Sequence, residues 1–124
     1  MIRRLGLITL VGFLLVASAP AGQARPAGPM DQRVVSAALQ FVPGETTLVK
    51  GDVLEFTNLD AAPHNLIALR NGPDGTPWFR TDTISAGRTV PVKGIEKLPP
   101  GVYDYTCTVH PRMLGTVFVE PAGG

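Results

Sequence analysis

Short runs in which apolar and polar side chains alternate residue by residue dominate the chain beyond residue 32. Leu54 and Phe56 fall on one face of such a run while Val53, Glu55 and Thr57 fall on the other, and Val117 and Val119 likewise oppose Thr116, Phe118 and Glu120. A period of two is the mark of a half-buried β-strand, because successive side chains point to opposite faces. On this pattern, and on their β-branched and aromatic content, seven strands are predicted at 33–42, 46–50, 53–58, 65–70, 88–92, 102–107 and 116–120. No stretch repeats apolar residues at helical spacing over three turns. Many short strands at close spacing predict an all-β domain built as an antiparallel sandwich or barrel.

Turn chemistry punctuates these runs. Pro43-Gly44, Lys50-Gly51-Asp52, Asn58-Leu59-Asp60 and Leu98-Pro99-Pro100-Gly101 each stand where one strand hands over to the next. Tyr103, just after Gly101 at the start of the sixth run, is placed to tie a crossover back to the backbone through its hydroxyl, as in a tyrosine corner. The segment 71–87 is irregular, with Trp78-Phe79 inside it, and is expected to hold a short helical turn or an extra strand, its two aromatics capping one end of the domain. Asp52, Asp60, Asp74 and Asp82 lie in turns or near strand ends and are expected to be solvated.

The N-terminal residues follow a different pattern. Arg3-Arg4 precede a run of about thirteen apolar residues from Leu5 to Ala17, and small residues at Ala17-Ser18-Ala19 and Gly22-Gln23-Ala24 offer cleavage sites. The run is too short to span a bilayer. Residues 1–24 are therefore read as a secretory signal peptide cut after Ala24, residues 25–32 as a flexible Pro- and Gly-rich leader, and 33–124 as one domain. The paired arginines hint at the twin-arginine route, although their flanks match its fuller signal poorly. With 124 residues in all, there is no room for a second core. Loss of Arg3 and Arg4 moves the formal charge from +1 to −1, a balance that argues against nucleic acid or an anionic membrane surface as the partner.

The single cysteine, Cys107, rules out an internal disulfide framework in an exported chain. A lone thiol in an oxidising compartment survives if it is buried or bound. Cys107, His110 and Met113 fall within seven residues at the end of the sixth run, and the only other histidine, His64, lies in the turn after the third. Loops at one end of a sandwich cluster in space, so these four side chains can meet. Two imidazoles, a thiolate and a thioether are the donor set of a blue-copper site, with His₂Cys in a plane and a long, weak axial Met. Zinc also accepts His₂Cys but seldom recruits a thioether. A nucleophilic Cys107 would need an orienting group and oxyanion donors that this chain does not obviously supply.

The stretch Tyr103-Asp104-Tyr105-Thr106-Cys107-Thr108-Val109-His110-Pro111-Arg112-Met113-Leu114-Gly115, together with Phe56-Thr57-Asn58-Leu59-Asp60 and Pro63-His64-Asn65, resembles the cupredoxin family, nearest its plastocyanin and amicyanin branch. Two residues between each pair of loop ligands is the amicyanin-like spacing. The resemblance spans roughly 34–120 and implies a Greek-key β-sandwich holding one type 1 copper through His64, Cys107 and His110, with Met113 axial. It also implies that the Asn65 backbone N–H bonds the cysteine sulfur while its side chain links the two ligand loops. The function implied is single-electron shuttling by Cu(II)/Cu(I) cycling in an exported, non-enzymatic monomer. Its redox donor and acceptor would dock transiently around His110, against Pro63, Pro111, Ala62 and Leu114. The alternatives are copper storage or delivery, or an accessory subunit of a copper-dependent oxidoreductase. The segment 71–87 has no counterpart in the resemblance, and Arg112 adds a positive charge between His110 and Met113.

Overall fold

The computed structural model describes residues 31–123. The signal peptide expected at 1–24 and most of the leader expected at 25–32 lie outside the described residues. Among the described residues there are eight strands: β1 Asp31–Ala37, β2 Gln40–Val42, β3 Glu45–Val49, β4 Val53–Asn58, β5 Ile67–Ala68, β6 Thr89–Pro91, β7 Gly101–Thr106 and β8 Leu114–Glu120. They form two four-stranded sheets, ordered β2-β1-β4-β6 and β3-β8-β7-β5. The all-β sandwich with Greek-key connectivity is as expected; purely antiparallel pairing is not. β1 runs parallel to β4 and β3 parallel to β8, while the remaining pairings are antiparallel. Parallel neighbours cannot be joined by a tight turn. Here the intervening strands lie elsewhere in the sandwich, which supplies the crossover.

The predicted strand 33–42 is two strands. Ala38 and Leu39 have φ of 51° and 57°, which turns the chain in two residues so that Ala37 faces Gln40. This is the left-handed geometry that suits the twist of a hairpin, and glycine or asparagine is its usual occupant. The Asp60 carboxylate accepts the N–H groups of Ala38 at 2.7 Å and Leu39 at 3.1 Å, offsetting the backbone cost. No sequence signal marks this turn.

Alternation along the strands builds the core. Leu54 and Phe56 of β4 and Val117 and Val119 of β8 are buried, as their faces predict. Aromatic rings then join the two layers: Phe41 of β2 meets Phe56 of β4 edge-on at 5.9 Å and Tyr105 of β7 at 4.8 Å, and Phe79 meets Tyr105 at 6.1 Å. Burial pushes the Tyr105 phenol well above its usual pKa, so the ring stays neutral. Tyr103 donates its hydroxyl to the Pro99 carbonyl at 2.7 Å, which is the expected tyrosine corner.

The irregular segment resolves into an extended return. Backbone bonds from Ala68 to Phe79, Trp78 to Arg70 and Thr81 to Leu66 lay residues 77–84 alongside β5, and reciprocal Arg80–Lys93 bonds carry the ladder to the other sheet. One 3₁₀ turn, Ile95–Lys97, precedes β7. Phe79 is fully buried, whereas Trp78 is only partly so and packs against Tyr103. Two of the acids expected in solvent are not there. Asp52 is buried and accepts the Val49 N–H across its own turn, and Asp60 is turned inward toward His64. In both cases the carboxylate replaces water with backbone N–H groups that a turn leaves without partners.

Candidate metal centre

Asn58, the last residue of β4, organises the loop that carries the first histidine. It is fully buried; its Oδ1 accepts from Ser36 Oγ at 2.8 Å and from the Asp60 N–H at 2.9 Å, while its Nδ2 donates to the carbonyls of Ala62 and Ile84. The loop 58–64 is thereby folded over the end of the sandwich. His64 then enters a two-bond bridge with Ile84, 3.1 Å and 2.8 Å, which fixes its backbone.

The His64 ring is fully buried, and its Nε2–H donates to Asp60 Oδ2 at 2.9 Å. With the proton on Nε2, the lone pair is left on Nδ1. That atom lies 3.6 Å from Cys107 Sγ and 3.1 Å from His110 Nδ1. Burial alone would push the Asp60 carboxyl up; the N–H groups of Leu39 and Ala38 and the His64 ring outweigh it and hold the carboxyl below its usual pKa. A carboxylate on the far nitrogen of a ligating histidine fixes both ring orientation and tautomer. Nothing in the residue pattern distinguished Asp60 from the other turn acids. The spacing of four to His64 was the only available hint.

The second loop follows β7. Cys107 is fully buried, and its backbone N–H reaches back to the Met113 carbonyl at 3.3 Å while the Met113 N–H donates to the His110 carbonyl at 2.9 Å. Thr106 Oγ1 also donates to the Met113 carbonyl, at 2.9 Å, so the loop 107–113 closes on itself. His110 is half-buried and Met113 buried, and both border one shallow recess of about 360 Å³ with Leu39, Val109, Pro111 and Arg112. Leu114 borders a different recess with Leu69 and Thr116, and Ala62 and Pro63 border neither of the two.

Asn65 joins the loops in the way the resemblance implies. Its N–H donates to Cys107 Sγ at 3.4 Å, its Oδ1 accepts the Thr108 N–H at 2.9 Å, and its Nδ2 donates to Thr108 Oγ1 at 2.7 Å and Thr83 Oγ1 at 3.0 Å.

One donor atom each from His64, Cys107 and His110 therefore lies within 4.8 Å of the others. Two imidazole nitrogens and a sulfur brought together form a donor set that a soft or borderline cation satisfies. The donor set fits one copper ion of type 1, and the thiolate with two imidazoles is the part of that set which hard cations such as magnesium or calcium do not accept. Among the described residues no helix is long and apolar enough to cross a membrane.

Comparison with known proteins agrees with this centre. A curated relative, amicyanin-alpha of Methylorubrum extorquens, is 33% identical over 116 residues, covering 90% of this chain and 92% of its own length. Amicyanin of Paracoccus versutus is 32% identical over 93 residues, covering 74% and 67%. A solved structure of a reduced amicyanin variant superposes with a TM-score of 0.62 at 25% identity, covering 77% of this chain and 86% of that one. The sequence profile described as copper binding proteins, plastocyanin/azurin family, matches residues 29–120, and the chain belongs to that family.

Proposed function

We propose that this chain is an exported carrier of single electrons, with His64, Cys107 and His110 as the principal ligands of one copper and Met113 as the weak axial one. The observation that carries the reading is the convergence of His64 Nδ1, Cys107 Sγ and His110 Nδ1 at the end of a rigid sandwich in a member of this family. Bound copper would supply the one-electron chemistry, accepting an electron as Cu(II) and releasing it as Cu(I).

The protein's own residues do the rest. Asp60 holds the His64 ring in its tautomer, and the Asn65–Thr108 pair holds the two loops at a set separation. The Asn65 N–H bonded to Cys107 Sγ withdraws charge from the sulfur and would raise the potential of a copper held there. Full burial of His64 and Cys107 keeps water away, so little solvent has to reorganise when charge changes. A delivery role would require donors that a recipient can reach, and these two are not reachable.

His110 is the ligand nearest solvent. Leu39 and Val109, 53% and 45% exposed, stand with Pro111 around it as an apolar rim suited to brief encounters with redox partners over a small contact area. Of the residues expected from sequence, the recess keeps Pro111; Leu39 and Val109 stand in it where Ala62, Pro63 and Leu114 were expected. Export through the N-terminal signal is supported by Arg3-Arg4 and the apolar run behind them. The test is electron self-exchange, measured by NMR line broadening in mixtures of reduced and oxidised protein. Pro111→Glu places like charges on both meeting faces and is expected to slow exchange about tenfold or more at low salt with the optical spectrum unchanged; an unchanged rate would move the exit away from His110.

A further inference from the structure

The segment 71–87, which the family resemblance left without a role, walls a second recess that shares no residue with the one around His110. It has a volume of about 420 Å³ and is bordered by Trp78, Arg80, Lys93 and Lys97, with Asp74 at its edge. The backbone explains why the cations stand together. Arg80 and Lys93 exchange both of their N–H···O bonds, each 3.0 Å, so they are directly opposed and their side chains leave the ladder on the same face. Like charges so placed destabilise a ladder, and Lys97, one turn beyond Gly94, adds a third. Asp74 is the one acid on the border, and its Oδ1 is already engaged by the N–H and Oγ1 of Thr76. None of the three cations forms a salt bridge among the described residues.

The floor is kept free of side chains. A Cβ on Gly94, whose φ is 98°, would strike the Trp78 carbonyl, and one on Gly72 would lie 3.2 Å from the indole. The indole therefore lies against bare backbone with its ring walling the recess. The Asp74 carboxylate offsets part of the Arg80 charge, but three cations against one acid leave this face, around a partly exposed tryptophan, with an excess of positive charge.

We infer that this recess is a docking site for a carboxylate-rich surface segment of a protein partner, separate from the copper face. Charge complementarity selects an acidic occupant, and the open arrangement selects a peptide over a small anion. All three cations are exposed, which suits several carboxylates along a chain; a single oxyanion calls for convergent, buried N–H donors. Trp and Arg are also the residues that most often anchor protein interfaces. The site does not depend on the copper assignment, because none of its residues belongs to the ligand loops.

The test is titration of the ¹⁵N-labelled, reduced protein with a blocked hexaglutamate peptide at low ionic strength, followed by amide and indole NMR shifts. The expected result is saturable shifts at the Trp78 indole and at Gly72, Arg80, Lys93 and Gly94, with 107–113 unmoved. Lys93→Ala should weaken peptide binding at least fivefold while the unfolding midpoint stays level or rises, since a repulsion has been removed; Lys50→Ala should change neither. Shifts spread equally over all basic residues would overturn the inference. So would sulfate binding as tightly as the peptide, or a Lys93→Ala variant that is less stable yet binds the peptide unchanged.

Discussion

Asn65 and Thr108 hold each other twice: the Asn65 carboxamide accepts the Thr108 N–H at 2.9 Å and donates to the Thr108 hydroxyl at 2.7 Å. The two residues lie 43 positions apart, and each adjoins a proposed metal ligand, His64 and Cys107. This pair sets the separation of the ligand loops before any ion binds.

Asn65→Ala removes these two bonds and a third to Thr83, leaving the Thr108 N–H and the Thr108 and Thr83 hydroxyls without this partner. A loss of about 2–3 kcal/mol in unfolding free energy is expected, from bonds at a partly buried site. The backbone bond to Cys107 survives the substitution, so copper should still bind, but with broadened spectroscopic features as the loops gain freedom. Denaturant unfolding of the metal-free protein measures the first effect, and a stability equal to wild type would show that the loops are fixed by something else.

Asp60 serves two elements at once, the β1–β2 turn and the His64 ring. Asp60→Ala should destabilise the metal-free protein by about 1–3 kcal/mol and release the His64 tautomer, seen as mixed ring-nitrogen shifts by ¹⁵N NMR. The sign of the pH effect follows from a carboxyl held below its usual pKa in the folded state. The stability it contributes is complete above the ordinary carboxyl range near pH 4 and is lost as pH falls through the lower folded value. The wild type and Asp60→Ala stability curves should therefore converge at strongly acidic pH; a gap that widens on acidification would contradict this role.

Gly115 stands opposite Tyr105 across β7 and β8, and a Cβ there would collide with the phenol oxygen and ring carbons, one of them at 2.6 Å. Tyr105 is fully buried against Phe41 and Phe79 and has no room to swing away. Gly115→Ala should cost about 2–3 kcal/mol, the upper part of the range for overpacking a core. A melting temperature within a degree of wild type would show that the ring can shift.

These residues also mark where the sequence was informative. Alternation at Leu54 and Phe56, or at Val117 and Val119, is a local signal, and it located β4 and β8 correctly. The turn at Ala38-Leu39 was invisible because its left-handed backbone is stabilised by Asp60, about twenty residues away, rather than by glycine or asparagine. Parallel pairing of β1 with β4 and of β3 with β8 is decided by packing between distant segments, which alternation does not encode. At the centre, Cys107 and His110 were legible because one loop holds them, and Met113 on the same loop stands as a proposed ligand. His64 was found by its residue type, and Asn65 through the family resemblance. Asp52 and Asp60 look like any turn acid until the backbone N–H groups they accept are in place.

On the proposed reading, His64, Cys107 and His110 hold one copper of type 1. The most direct measurement is the optical and electron-paramagnetic-resonance spectrum of the 25–124 protein with one equivalent of Cu(II), alongside Cys107→Ser. The expected result is an intense blue thiolate-to-copper band and a narrow copper hyperfine splitting, both abolished by ascorbate, restored by oxidation and absent from the variant. A pale tetragonal copper signal, or a spectrum that Cys107→Ser leaves unchanged, would contradict it.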